Sequence, residues 1–90
     1  MIIIEVSLWG QLKNALQKNS VRLELSEPYT VQNAFCQLAR CQPEVRELLL
    51  TSDGQCNPSI LIFVNGRQQA VDKPLDEGDQ LSLMSPIAGG

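Results

Sequence analysis

A single well-formed helical stripe stands in a chain otherwise patterned for strands. Val31, Ala34, Phe35, Leu38 and Ala39 recur at helical spacing behind Thr30, a residue type suited to cap a helix N-terminus. On either side the period falls to that of a strand. Ile2 to Trp9 is rich in β-branched and apolar residues. Val21 to Leu25 alternates strictly, with Val21, Leu23 and Leu25 against Arg22 and Glu24, which predicts a half-solvated strand near a sheet edge. Gln11 to Ser20, between these two, reads as a loop with helical character. After Pro43, the segment Glu44 to Leu50 offers Val45, Leu48 and Leu49 as a second short helical piece. Ile60 to Val64 is uniformly apolar, the pattern of a strand buried on both faces. Asn65-Gly66 then signals a type I′ hairpin leading to a strand near Arg67 to Val71, because both central positions of that turn need φ > 0. Beyond the turn cluster Pro74 to Asp79, Gln80 to Ser85 alternates Leu81 and Leu83 with Ser82 and Met84. Several strands sharing one main helix make an α+β sheet.

Ninety residues suffice for one domain and not for two. With 43% apolar residues, one core can form without disulfide staples. The net charge of −3 and the scattering of seven basic residues argue against nucleic acid or an anionic membrane, since phosphate neutralisation needs clustered cations. A protein partner is favoured. No apolar run approaches the ~18–20 residues of a membrane span, and no basic-then-apolar leader precedes Ile2. The expectation is a soluble, cytoplasmic protein. Cys36, Cys41 and Cys56 are odd in number and form no Cys-x-x-Cys, so reduced thiols without a chemical role are the simplest reading.

Conventional catalytic equipment is scarce. Without His there is no Ser-His or Cys-His pair, and three cysteines fall short of a four-ligand zinc site. Asp72, Asp76, Glu77 and Asp79 lack the ligand rhythm of a calcium loop and read as solvated turn carboxylates. The C-terminus differs. After Asp79, eleven residues carry no charged side chain and end in Gly89-Gly90, leaving the α-carboxylate as the terminal charge. From Ser85 this segment can extend ~20 Å, and two residues lacking Cβ allow a carboxylate to enter a narrow channel in another protein. That carboxylate is anionic at neutral pH and a poor electrophile, so acyl chemistry at Gly90 requires prior activation.

Val64-Asn65-Gly66, the turn Pro74-Leu75-Asp76-Glu77-Gly78-Asp79 and the end Pro86-Ile87-Ala88-Gly89-Gly90 resemble the MoaD/ThiS family of ubiquitin-like sulfur carriers. The resemblance spans essentially the whole chain. It implies a β-grasp fold over residues 1–85, with a mixed sheet on the main helix, and a flexible Gly-Gly tail over residues 86–90. It further implies a non-catalytic subunit of a sulfurtransferase, rather than a free-standing enzyme. An E1-like enzyme would use ATP to adenylate Gly90, a sulfur donor would form the thiocarboxylate, and sulfur would pass to an acceptor enzyme; no cofactor is held permanently. Gly90 is then the covalent site, Gly89 serves passage of the tail, and Ala88, Ile87 and Pro86 guide docking. Phe63 and Met84 are candidates for the partner surface, with the core the favoured place for Phe63. The tail is most similar to that of the molybdopterin synthase small subunit. Carriers for cysteine or thiamine biosynthesis or tRNA thiolation, and a modifier joined to lysine through Gly90, are the alternatives.

Overall fold

The computed structural model describes residues 1–85. The predicted tail, Pro86 to Gly90, lies outside them. Strand β1 (Ile2–Gly10) is followed by helix α1 (Gln11–Leu16), strand β2 (Ser20–Leu25) and helix α2 (Val31–Cys41). A 3-10 turn (Pro43–Val45) runs into the short helix α3 (Arg46–Leu49), and strands β3 (Leu61–Val64), β4 (Arg67–Gln68) and β5 (Gln80–Ser85) complete the sheet. Its strand order is β2-β1-β5-β3-β4. β1 and β5 lie parallel at the centre, whereas β1–β2, β3–β5 and β3–β4 are antiparallel. This is the mixed sheet of the ubiquitin-like β-grasp fold.

The helical stripe does what its spacing requires. Val31, Ala34, Phe35, Leu38 and Ala39 are buried and join Ile4, Val6, Leu8, Leu23, Leu25, Ile62, Val64, Leu81 and Leu83 from one face of the sheet in a single core. Thr30 caps α2 as predicted, its Oγ1 accepting the Asn33 N–H at 3.2 Å. Two further first-turn donors are met by another segment: Val31 N–H donates to the Lys73 carbonyl and Gln32 N–H to the Val71 carbonyl. Free N–H groups at a helix start must find such partners when buried.

That arrangement explains why the strand predicted to reach Val71 stops at Gln68. The chain leaves the sheet to place its carbonyls on α2. The turn before it follows expectation, with Asn65 at φ 52° and Gly66 at φ 85°.

Two other expectations change. Gln11 to Ser20 contains a true helix, because burying Leu12 completely repays ordering one turn and a half; Ser20 already belongs to β2. The strand beginning at Leu61 is covered on one face only. Ile62 and Val64 are buried while Leu61 is 44% exposed, since all of the helical cover described lies on the other side of the sheet. Phe63 shares the open face with Leu61 and is not a core residue; it is half-buried there. The predicted edge position of β2 holds.

Replacing Phe35 with Ala should cost about 3–5 kcal/mol, the range for a fully buried phenylalanine, since no part of Phe35 is exposed. The change should be read as a lower denaturation midpoint with an unchanged slope against denaturant.

Candidate functional site

The site is built where β5 ends. Because β5 pairs with β1 on one side and β3 on the other, the row Trp9, Met84, Leu61 crosses three adjacent strands in register. Alternation along each strand turns all three side chains away from the core. They are 51%, 39% and 44% exposed. The next row, Ser20, Ser7, Ser82, Phe63 and Gln68, is hydroxylic at one end and aromatic near the other. Beyond it stand Arg22, Glu5 and Gln80. The open face therefore carries its apolar row beside Ser85 and charged side chains further along, with exposed Ile3 beyond them. A contiguous exposed apolar row of this kind is a mark of a protein-binding surface.

Ser85 is held in place by the end of β1. Gly10 adopts φ 70°, and a Cβ on it would lie 1.9 Å from the Ser85 carbonyl oxygen. Only glycine fits there. The Ser85 hydroxyl accepts the Leu12 N–H at 3.0 Å and donates to the Trp9 carbonyl at 3.4 Å.

The acidic turn is occupied with structure. Asp79 Oδ2 accepts the Asp76 N–H at 2.8 Å, Asp79 Oδ1 accepts from Asn65 Nδ2 at 3.0 Å, and Asn65 Oδ1 accepts the Gln80 N–H at 2.9 Å. Glu77 accepts the Ile3 N–H at 3.1 Å. Two of the four carboxylates thus fasten the β5 entrance to the β3–β4 turn and to β1, a task the reading as solvated carboxylates left out. Among the described residues, no group of His, Cys, Asp and Glu is arranged to hold a metal.

The cysteines are free. Cys41 is exposed, whereas Cys56 is half-buried and packs against the core. Burial pushes the Cys56 thiol up to about 11, and neighbouring Cys36 adds to the rise. A thiol raised in this way is un-ionised and inert near neutrality.

Of the residues picked out in the sequence, Met84 and Phe63 are on the open face, and Pro86, Ile87, Ala88, Gly89 and Gly90 lie outside the described residues. Trp9, Leu61, Gly10 and Ser85 had no assigned role. Their signal was present for two of them: Trp9 and Leu61 are apolar residues at positions where alternation calls for polar ones.

The strand order and the helix packed on one face of the sheet define a ubiquitin-like protein. Residues 6–90 match the ThiS family, and the chain belongs to that ThiS/MoaD family of ubiquitin-like sulfur carriers and protein modifiers. It is 26% identical over 87 residues to small archaeal modifier protein 1 of Haloferax volcanii, covering 97% of this chain and all 100% of the relative. A protein of Archaeoglobus fulgidus, described as a candidate sulfur carrier, is 32% identical over 69 residues, with 72% of this chain and 78% of the relative covered. The crystal structure of the Haloferax modifier superposes with a TM-score of 0.87 over 98% of this chain and 99% of that one.

At pH 8, Cys56 should alkylate far more slowly than exposed Cys41, with only about one part in a thousand present as thiolate at a pKa of about 11. Its rate should climb as pH rises toward that value. Peptide mapping after timed iodoacetamide treatment checks the order.

Proposed function

We propose that this protein is an acyl carrier whose reactive group is the Gly90 carboxylate. A carboxylate oxygen attacks the α-phosphorus of ATP in an E1-like partner, pyrophosphate leaves, and the acyl adenylate forms. Hydrosulfide released by a sulfur donor then attacks the acyl carbon, AMP leaves, and the thiocarboxylate that results delivers its sulfur to an acceptor enzyme. The observation that carries this reading is the Trp9–Met84–Leu61 row at the root of an uncharged segment ending in Gly-Gly. Row and end together suit a protein that docks by one face and offers its terminus to the docked partner. ATP belongs to the activating enzyme in this scheme.

What the chain itself contributes is placement. The apolar row supplies desolvated contact area, and the tethered carboxylate is presented at high effective concentration once the face is docked. Pro86, Ile87 and Ala88 are proposed to guide the segment, and Gly89 to let it pass through a narrow entrance. The acceptor we assign is the large subunit of a molybdopterin synthase, on the likeness of the terminal residues; cysteine, thiamine and tRNA thiolation pathways take the same donor chemistry. We place the protein in the cytoplasm.

A second reading has an observation of its own. The relative matched along the full chain is described as a modifier, which favours attachment of Gly90 to a lysine amine through an isopeptide bond. Both readings share the adenylate and diverge at the nucleophile that displaces AMP.

Incubation with the E1-like enzyme of the same organism, ATP and a sulfur donor should raise the intact mass by the difference between sulfur and oxygen, localised to Gly90. Deleting Gly90 should abolish that shift while leaving the denaturation midpoint unchanged. No gain with an enzyme shown to be active would overturn sulfur carriage, and lysine-linked adducts in extracts would favour the modifier reading.

A further inference from the structure

Strand β2 lies at one edge of the sheet, and the direction of its main-chain groups follows from two observations. Leu8 N–H donates to the Asn19 carbonyl at 2.8 Å, so in a register that pairs Val6 with Val21 and Ile4 with Leu23 the groups of Val21, Leu23 and Leu25 turn toward β1. Those of Ser20, Arg22 and Glu24 turn outward. Gln37 shows the same phase from the other side, since its side-chain amide donates to the Glu24 carbonyl and accepts the Ser26 N–H. That contact closes one end of the edge. At the other end, among the described residues, the N–H and carbonyl of Ser20 and of Arg22 have no partner, and both residues are exposed.

We propose that this open end of β2 pairs with the same segment of a second copy of the chain, antiparallel and about a two-fold axis at Val21. In this register Ser20 stands opposite the partner's Arg22, the two exchange both main-chain hydrogen bonds, and every group used is one that the single chain leaves free. Val21 meets the partner's Val21. It is half-buried and lines a shallow groove with Leu38 and Cys41 beneath the edge, and β-branched residues facing each other across antiparallel strands are stabilising. One step further along, Lys18 comes opposite the partner's Glu24, which sets unlike charges together. The charge of Arg22 is answered within its own sheet by Glu5, the residue opposite it on β1. Neighbouring registers fail on the same grounds. An axis at Arg22 sets two guanidinium groups directly opposite each other, which is destabilising, and an axis at Leu23 calls on the Glu24 carbonyl that Gln37 holds. The axis stands normal to the sheet, so both Trp9–Met84–Leu61 rows stay uncovered on one side of the joined sheet.

The contact of one short edge is small, so association is weak and depends on concentration. Sedimentation equilibrium on the full chain from about 1 μM to about 1 mM should show the weight-average mass climbing from the 9.9 kDa of one chain toward that of two. A mass that stays at one chain throughout overturns the proposal. Exchanging the charges tests the register. Lys18→Glu alone and Glu24→Lys alone should each weaken the dimer about 2- to 30-fold, the range for two symmetry-related surface pairs, and the double variant should return Kd to within about threefold of the parent because both pairs are restored with their signs reversed. Single variants without effect, or a double variant as weak as the singles, overturn the axis at Val21. Arg22→Pro removes an outward N–H that β1 does not use, a change an edge strand tolerates, and should abolish the rise in mass; a folded Arg22→Pro protein that still dimerises overturns pairing through this edge. The charge variants touch no hydrogen bond of the folded chain and carry the test where the proline variant does not fold.

Discussion

The parallel pairing of the first and last strands organises everything else. β1 and β5 run side by side through the middle of the sheet, with Val6, Leu8, Leu81 and Leu83 sealed beneath them. Parallel neighbours cannot be joined by a tight turn, and here the whole intervening chain serves as the crossover. Its helix α2 has to pass over one face of the sheet, and it buries that face. The C-terminal strand consequently ends in the interior of the sheet beside β1, with a strand on each side. A chain end leaving from the centre of a sheet is anchored by neighbours on both sides, whereas one leaving an edge strand has a single neighbour to resist fraying.

Covering only one face has two consequences. The helix face takes nearly all the stabilising burial, so the residues of the opposite face are free to be chosen for recognition. Trp9, Met84 and Leu61 contribute little to the core and form a row beside the last residue of β5. The second consequence is exposed strand edges, which invite unwanted pairing. One end of the β2 edge is closed by Gln37, whose amide donates to the Glu24 carbonyl and accepts the Ser26 N–H at 3.1 Å, standing in for a neighbouring strand. β4 is only two residues long, and so short an edge offers little to pair with.

Much of this was legible in the residue pattern. The period of Val31 to Ala39, the strict alternation of Val21 to Leu25 and the Asn65-Gly66 turn each reflect a local rule, and each element formed where that rule placed it. What escaped were features made by residues distant in sequence. Ile60 to Val64 is apolar throughout because its inner positions serve the core and Leu61 and Phe63 the open face, two demands that look alike in composition. The strand expected to reach Val71 was cut short by the need of α2 for carbonyl partners. A clasp joins Gly10 and Leu12 to Ser85 across more than 70 residues, and no local period announces such a contact.

The chain holds no His, and burial drives the Cys56 thiol away from reactivity. In the described part of the molecule, its polar groups are spent on architecture: Thr30 on a helix start, Asn65 and Asp79 on a turn, Ser85 on the end of the last strand. Such a domain can take part in covalent chemistry by lending its main-chain terminus to a partner that supplies the reacting groups. Rate in that design depends on geometry, since a carboxylate held at a fixed point is effectively concentrated by orders of magnitude over one that wanders. The hydrogen bonds of one buried serine and the missing Cβ of one glycine fix the end of the last strand against β1 and α1.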